Sequence, residues 1–213
     1  MRRLAALSTA LVWMCCAASA DAAGTPDPVP AAAPAPQADA PQTDTPALEQ
    51  VMQLLAARRH GHLAFTEVQT LAMLDRPLES SGELLYDAPD RLEQRTLKPR
   101  PQTLTLESGV LTAARGRRTH TVELAAHPQL APLIEGLRAT LAGDRAALER
   151  IFVVKFGGDP ADWTLQLTPR DPAALRIVSE VRIAGSGAAL KSVQILQADG
   201  DHALITLGPE LDP

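Results

Sequence analysis

The side chains able to carry covalent or metal chemistry are few and scattered. His60 and His62 flank Gly61, but no third donor lies near them in sequence, so the pair falls short of a zinc ligand set. His120 and His202 fall in alternating stretches, where a lone imidazole is solvent-facing or singly hydrogen-bonded. Gly185-Ser186-Gly187 has the wrong spacing for a nucleophile elbow, which needs G-x-S-x-G. Gly157-Gly158-Asp159-Pro160 lacks the Lys-Ser/Thr ending of a phosphate-cradling loop. Asp159 and Asp162 bracket a turn, where short carboxylates serve backbone N–H groups. Arg115-Gly116-Arg117-Arg118 gathers cations at a hairpin tip, which is either a solvated loop or a contact for an acidic partner. No metal, cofactor or catalytic residue is implied, and the residues point to binding rather than to an enzyme.

The N-terminus sets the expected compartment. Arg2 and Arg3 precede an uncharged apolar stretch, Leu4 to Ala18, and Ala18-Ser19-Ala20 offers small residues for a signal peptidase. This predicts a secretory signal peptide over 1–20 and export to the periplasm as a soluble protein. The apolar run is short for a membrane-spanning helix. Cys15 and Cys16, the two cysteines of the chain, lie inside that run behind Trp13-Met14 rather than behind a small residue. They are expected to leave with the signal, unacylated. The formal charge is −5 and becomes −7 once Arg2 and Arg3 are removed, which argues against nucleic acid as a partner. Residues 21–46 are rich in Pro and Ala and nearly devoid of large apolar side chains, the composition of a disordered spacer. The folded domain is expected over 47–208, with a tail at 209–213.

The elements that must position any site follow from periodicity. Thr45 and Pro46 mark a helix start, and Leu48, Val51, Met52 and Leu55 make one apolar face. Arg58, Arg59 and His60 are expected in its last turn, with Gly61 ending it. The period then changes to two, predicting strands near 62–74, 80–87, 91–98, 102–107, 109–114 and 117–124. Between Pro128 and Ala142, Leu130, Leu133, Ile134, Leu137 and Leu141 return to helical spacing. Gly143 closes that helix, Asp144 caps a short second one, and Gly136 marks a bend or a close contact. Five further strands are expected, carrying Phe152/Val154/Phe156, Trp163/Leu165/Leu167 and Ile177/Val181/Ile183, then 189–197 and 202–207. Eleven antiparallel strands must close or nearly close to manage their edges. The aliphatic inner face and the 3% aromatic content leave room for a cavity.

Several local signatures, in order, resemble the LolA family of periplasmic lipoprotein carriers over about 47–208. These are Phe65-Thr66-Glu67 after the first helix, Ser81-Gly82-Glu83-Leu84-Leu85-Tyr86 followed by Pro89, Arg91-Leu92-Glu93 running to Pro99, and Trp163-Thr164-Leu165-Gln166-Leu167-Thr168-Pro169. The resemblance implies a mainly β fold with helices (α+β): an antiparallel half-open β-barrel of about eleven strands under a helical lid. It also implies a monomer that carries the acyl chains of a lipoprotein or lipid, with an inner-membrane exporter and an outer-membrane acceptor as partners. At one place the chain departs from the family. The Arg that directly precedes the strand-ending Pro, and bonds to the lid, is Ala88 here.

On this reading the lipid-binding cavity is lined by Phe65, Leu84, Tyr86, Leu92, Leu104 and Leu106 from the first block of strands. Phe152, Val154, Phe156, Trp163, Leu165, Leu167, Val181 and Ile183 line it from the second. Leu130, Leu133, Ile134, Leu137 and Leu141 form the lid. The same stripe also suits a helix packed permanently on the core. An envelope-stress lipid sensor of the same fold, or an envelope hydrolase, is the alternative function.

Overall fold

A computed structural model describes residues 45–127 and 131–211. The proposed signal peptide, the spacer through residue 44 and Leu130 lie outside the described residues, as does the capping side chain of Thr45.

The first helix, α1 (Thr45–Ala56), buries Leu48, Val51, Met52 and Leu55 almost completely, as spacing of i, i+3, i+4 and i+7 requires. It ends earlier than expected. Strand β1 (His60–Thr70) already includes His60 and Gly61, which pair with Asp87 and Tyr86 of β2 (Leu78–Asp87). Sheet pairing outcompetes the last helical turn here: His60 Nδ1 lies 2.7 Å from Asp87 Oδ1, and Arg58 Nη2 reaches Glu210 at 3.0 Å. β1 also stops at Thr70 rather than continuing to 74. Leu74 N–H donates to Leu71, closing a turn, and Ala72 N–H donates to Asp201 Oδ1 at 2.7 Å.

The meander continues through β3 (Arg91–Lys98), β4 (Gln102–Glu107), β5 (Val110–Arg115) and β6 (Arg118–Glu123). Ser108 and Gly109 both take positive φ, 50° and 76°, at the tight β4–β5 turn, a conformation glycine adopts without steric cost. A single 3₁₀ turn (Leu124–Ala126) leads toward α2 (Ala131–Leu141) and α3 (Arg145–Ile151). Asp144 caps α3 as its position suggests, accepting from Ala147 N–H at 2.9 Å. Strands β7 (Phe152–Asp159) and β8 (Asp162–Pro169) follow, then α4 (Pro172–Leu175), a short turn absent from the sequence reading. Asp171 caps it, with Pro172 at its first position. β9 (Val178–Ser186), β10 (Ala189–Gln197) and β11 (His202–Glu210) complete the chain.

The strands form one antiparallel eleven-stranded sheet in the order β6-β5-β4-β3-β2-β1-β11-β10-β9-β8-β7. Two meanders are thus joined where the first and last strands pair, with Phe65 opposite Leu207. The sheet is open, its edges being β6 and β7, and the segment holding α2 and α3 connects those two edges. Register places one side chain in two on a single concave face. Along β1 these are Leu63, Phe65, Glu67 and Gln69, opposite Leu84, Gly82, Ser80 and Leu78 of β2.

Candidate functional site

The concave face is covered unevenly, and that unevenness makes the site. Over β7–β9, α1 and α3 lie directly on the sheet. Leu48, Met52, Leu55 and Leu148 meet Phe152, Phe156, Trp163, Leu165, Leu167 and Ile183 in one buried cluster, with Val154 and Val181 packed against it. Trp163 is fully buried, and its Nε1–H donates to Gly187 O at 3.0 Å. Of the eight residues of β7–β9 expected on the cavity wall, six therefore belong to the packed core, and Val154 and Val181 pack against it. The reason is physical: α1 presents four long apolar side chains to that half of the face and fills it.

The other half is left with an aliphatic cavity of about 80 Å³. Phe65, Leu84, Leu92, Leu104 and Leu106 line one wall, together with Leu111 and Gln94. The lining continues onto Leu190, Val193 and Ile195 of β10 and Ile205 and Leu207 of β11, the last paired with Phe65. These seven residues, Leu111 and Gln94 included, were not singled out from sequence. Alternation at Val193/Ile195 and Ile205/Leu207 was the available signal. What hid the five on β10 and β11 was the non-local β1–β11 pairing and a bulge between Leu190 and Ser192 that breaks the alternation of β10.

Helix α2 is the roof. Ile134, Leu137 and Leu141 face the cavity. Ile134 is also part of a second apolar cluster with Leu104, Leu106, Leu111 and Leu124. Of the other proposed lid residues, Leu130 is not among the described residues, and Leu133 is placed only as a position in α2. The helix's other side rests on the core. Ala139 and Thr140 are fully buried, and Thr140 Oγ1 donates to Gly136 O at 2.8 Å. Gly136 sits against Phe152 so closely that a Cβ there would meet Phe152 Cε2 at 2.1 Å. The helix is thus seated on one side and spans a void on the other.

Tyr86 lines a smaller neighbouring space of about 30 Å³, which shares Leu84, Leu92, Leu141 and Leu190 with the main cavity. Burial pushes its phenol above the ordinary value, opposed by the nearby Arg138 and Arg59 cations, so it keeps its proton. Ala88 carries only a methyl group, with no polar atom to form a side-chain hydrogen bond; its N–H donates to Arg59 O at 2.8 Å. On α2, Arg138 is engaged by Glu135 one turn away. Among the described residues, no charged side chain lines the aliphatic cavity.

The remaining candidates have ordinary roles. His62 Nε2 lies 3.2 Å from Glu83 Oε2, and among the described residues no cluster of three metal-ligating side chains occurs. Asp159 Oδ1 accepts from Ala161 and Asp162 N–H groups at 2.7 and 3.1 Å, holding its turn. Arg115 pairs with Arg118 across a tip formed by Gly116 and Arg117. Among the described residues, no helix is long and apolar enough to cross a membrane.

Residues 38–209 match the family model described as outer membrane lipoprotein carrier protein LolA-like. No curated protein sequence matches the chain. Among solved structures, a LolA superfamily protein from Nitrosomonas europaea shares 9% identity at a TM-score of 0.42, over 81% of this chain and 94% of that one. The MucA/MucB complex of Pseudomonas aeruginosa aligns at 14% identity and a TM-score of 0.41, over 77% of this chain and 56% of that one. LprF from Mycobacterium bovis aligns at 14% identity and a TM-score of 0.36, over 79% of this chain and 94% of that one.

Proposed function

This chain belongs to the family of LolA-like outer membrane lipoprotein carrier proteins, and on that premise we propose that it is a periplasmic carrier of acyl chains. The acylated cargo, a lipoprotein or a lipid, is held against β2–β5 and β10–β11 beneath α2. The observation that carries the reading is the aliphatic cavity roofed by Ile134, Leu137 and Leu141.

The energetics demand a movable roof. Burying a methylene stabilises a complex by about 0.8 kcal/mol, so one chain of roughly fifteen carbons contributes on the order of 12 kcal/mol. A carrier that gained all of that could not release its cargo. In this structure the cavity, at about 80 Å³, is well below the roughly 300–1,000 Å³ of typical ligand pockets. Cargo therefore enters only if α2 is displaced. Displacement costs the apolar contacts that Ile134, Leu137 and Leu141 make with the walls. Closure of the empty roof regains them, so roof and cargo compete for one surface and the net affinity is moderated. With Ala88 in place of an arginine, the β2–β3 turn lacks that latch, and the roof is held by packing together with the charge of Asp90 acting on Arg138 of α2. A donor protein in the inner membrane and an acceptor at the outer membrane complete the route.

The test is identification of bound lipid by mass spectrometry of the protein isolated from the cell envelope, followed by transfer of fluorescent acyl lipid between donor and acceptor vesicles. A stoichiometric acyl ligand and transfer faster than the vesicles alone are expected. Protein free of acyl lipid and without effect on transfer would overturn the reading. Ligand binding without transfer would instead favour a lipid sensor.

A further inference from the structure

Among the described residues, two buried side-chain polar atoms have no hydrogen-bond partner: the Tyr86 hydroxyl and Gln94 Nε2. Both lie on the concave face under α2. Tyr86 pairs with Leu92, and Gln94 pairs with Leu84, so the two side chains are diagonal neighbours on adjacent strands, roughly 7–8 Å apart at the backbone. Gln94 lines the main cavity and Tyr86 the space that opens from it past Leu84 and Leu92. Elsewhere the same face satisfies its buried polar groups. Glu67, for example, accepts from Ser80 Oγ at 2.8 Å and from Gln69 Nε2 at 3.3 Å. Leaving a buried donor unmade is unfavourable, and a cavity built only for hydrocarbon would carry leucine and phenylalanine at these two positions.

We propose that Tyr86 and Gln94 are the polar anchor of the cavity, donating to the ester carbonyl oxygens of a diacyl ligand. This rests on the acyl-binding reading above and adds the chemical class of the cargo. Both donors are neutral, which suits an ester oxygen; a carboxylate would have to surrender more hydration than one phenol and one amide restore. The arrangement also gives the ligand a direction. Tyr86 lies at the end of the groove near Arg59 and Arg138, and Val193, Ile195 and Ile205 line the wall farther along it. Ester groups at Leu84 and Leu92 would send the chains toward that aliphatic end and leave the headgroup near the arginines.

The experiment compares binding of dioctanoylglycerol with that of its dioctyl ether counterpart, which has the same chains without carbonyls. Displacement of a hydrophobic dye from the full mature chain reads the affinities. Each net hydrogen bond multiplies affinity by about two- to tenfold, so wild type should prefer the ester by at least several-fold. Tyr86→Phe and Gln94→Leu should each reduce that ester-over-ether preference, and together abolish it. Their thermal midpoints should not fall, because each removes an unpaired buried group. Equal affinity of wild type for ester and ether, or a preference that survives both substitutions, would overturn the anchor while leaving acyl binding intact. Failure of wild type to bind either lipid would overturn the acyl-binding reading and the anchor with it.

Discussion

Gly136→Ala adds one methyl group at the point where α2 crosses β7. The new Cβ would stand 2.1 Å from Phe152 Cε2 and 2.7 Å from Cζ. Carbon atoms rest at about 3.5–4.0 Å, so the helix and ring must separate by roughly 1.5 Å. Phe152 is only 1% exposed and cannot simply swing into solvent. Its carbonyl is also held by Arg170 Nε at 2.9 Å, and its strand position by pairing with Pro169. Overpacking of this kind costs about 1–3 kcal/mol, and the gain in helix propensity from Gly to Ala offsets about 0.5–1 kcal/mol. A net loss of up to about 2.5 kcal/mol should lower the thermal midpoint by up to roughly 10 °C in a domain of this size. Because the shift lifts α2 from its seat, an environment-sensitive hydrophobic dye should bind more strongly as well. Thermal unfolding followed by circular dichroism, with dye titration on the same samples, reads both effects. A midpoint at or above wild type with unchanged dye binding would show that α2 does not rest on Phe152 and that Gly136 is not the seat of the roof.

Three further outcomes are expected. Leu137→Asp puts a carboxylate into the aliphatic cavity while the Gly136–Ala139–Thr140 side of α2 keeps its packing, so the variant should remain folded by far-UV circular dichroism, bind more dye and lose acyl ligand; an unfolded variant would make α2 a permanent core element instead. Asp144→Ala removes the acceptor for Ala147 N–H and should cost about 1 kcal/mol, seen as a midpoint lower by roughly 2–4 °C, and an unchanged midpoint would mean the cap contributes nothing. In acid, two carboxylates should govern the loss of stability. Burial tends to raise Glu93, but hydrogen bonds from Arg95 and Arg91 outweigh it, and the hydrogen bond from Arg138 lowers Glu135 against a smaller effect of burial. Both folded values lie below the ordinary 4.5, so their contribution is complete above that pH and is lost as pH falls through the lowered values. Glu93→Gln should flatten the acid limb of the midpoint-versus-pH curve, and an equally steep limb would refute the assignment.

Most of the element order was written in local pattern. Leu48, Val51, Met52 and Leu55 can share a face only in a helix, and Leu104 and Leu106 or Leu165 and Leu167 only in a strand. Turn chemistry at Ser108-Gly109 and the Asp144 cap were legible for the same reason, because each acts within a few residues. The end of α1 was misplaced because a ladder bond to Asp87, distant in sequence, decides where His60 belongs.

The site itself was only half visible, and the cause is general. Alternation tells which side chains point to one face of a sheet, but it is the same whether a helix or a void lies above them. Phe152, Phe156, Trp163 and Leu165 have the pattern of cavity-lining residues and are core, because α1 packs on them. Val193, Ile195, Ile205 and Leu207 have that pattern too and line the cavity, because β11 returns to pair with β1 and faces them toward Phe65 under α2. Local periodicity specified the inward face. The docking of α1 and the seat of α2 on Phe152 decided which part of that face stays empty, since both depend on contacts between segments far apart in the chain.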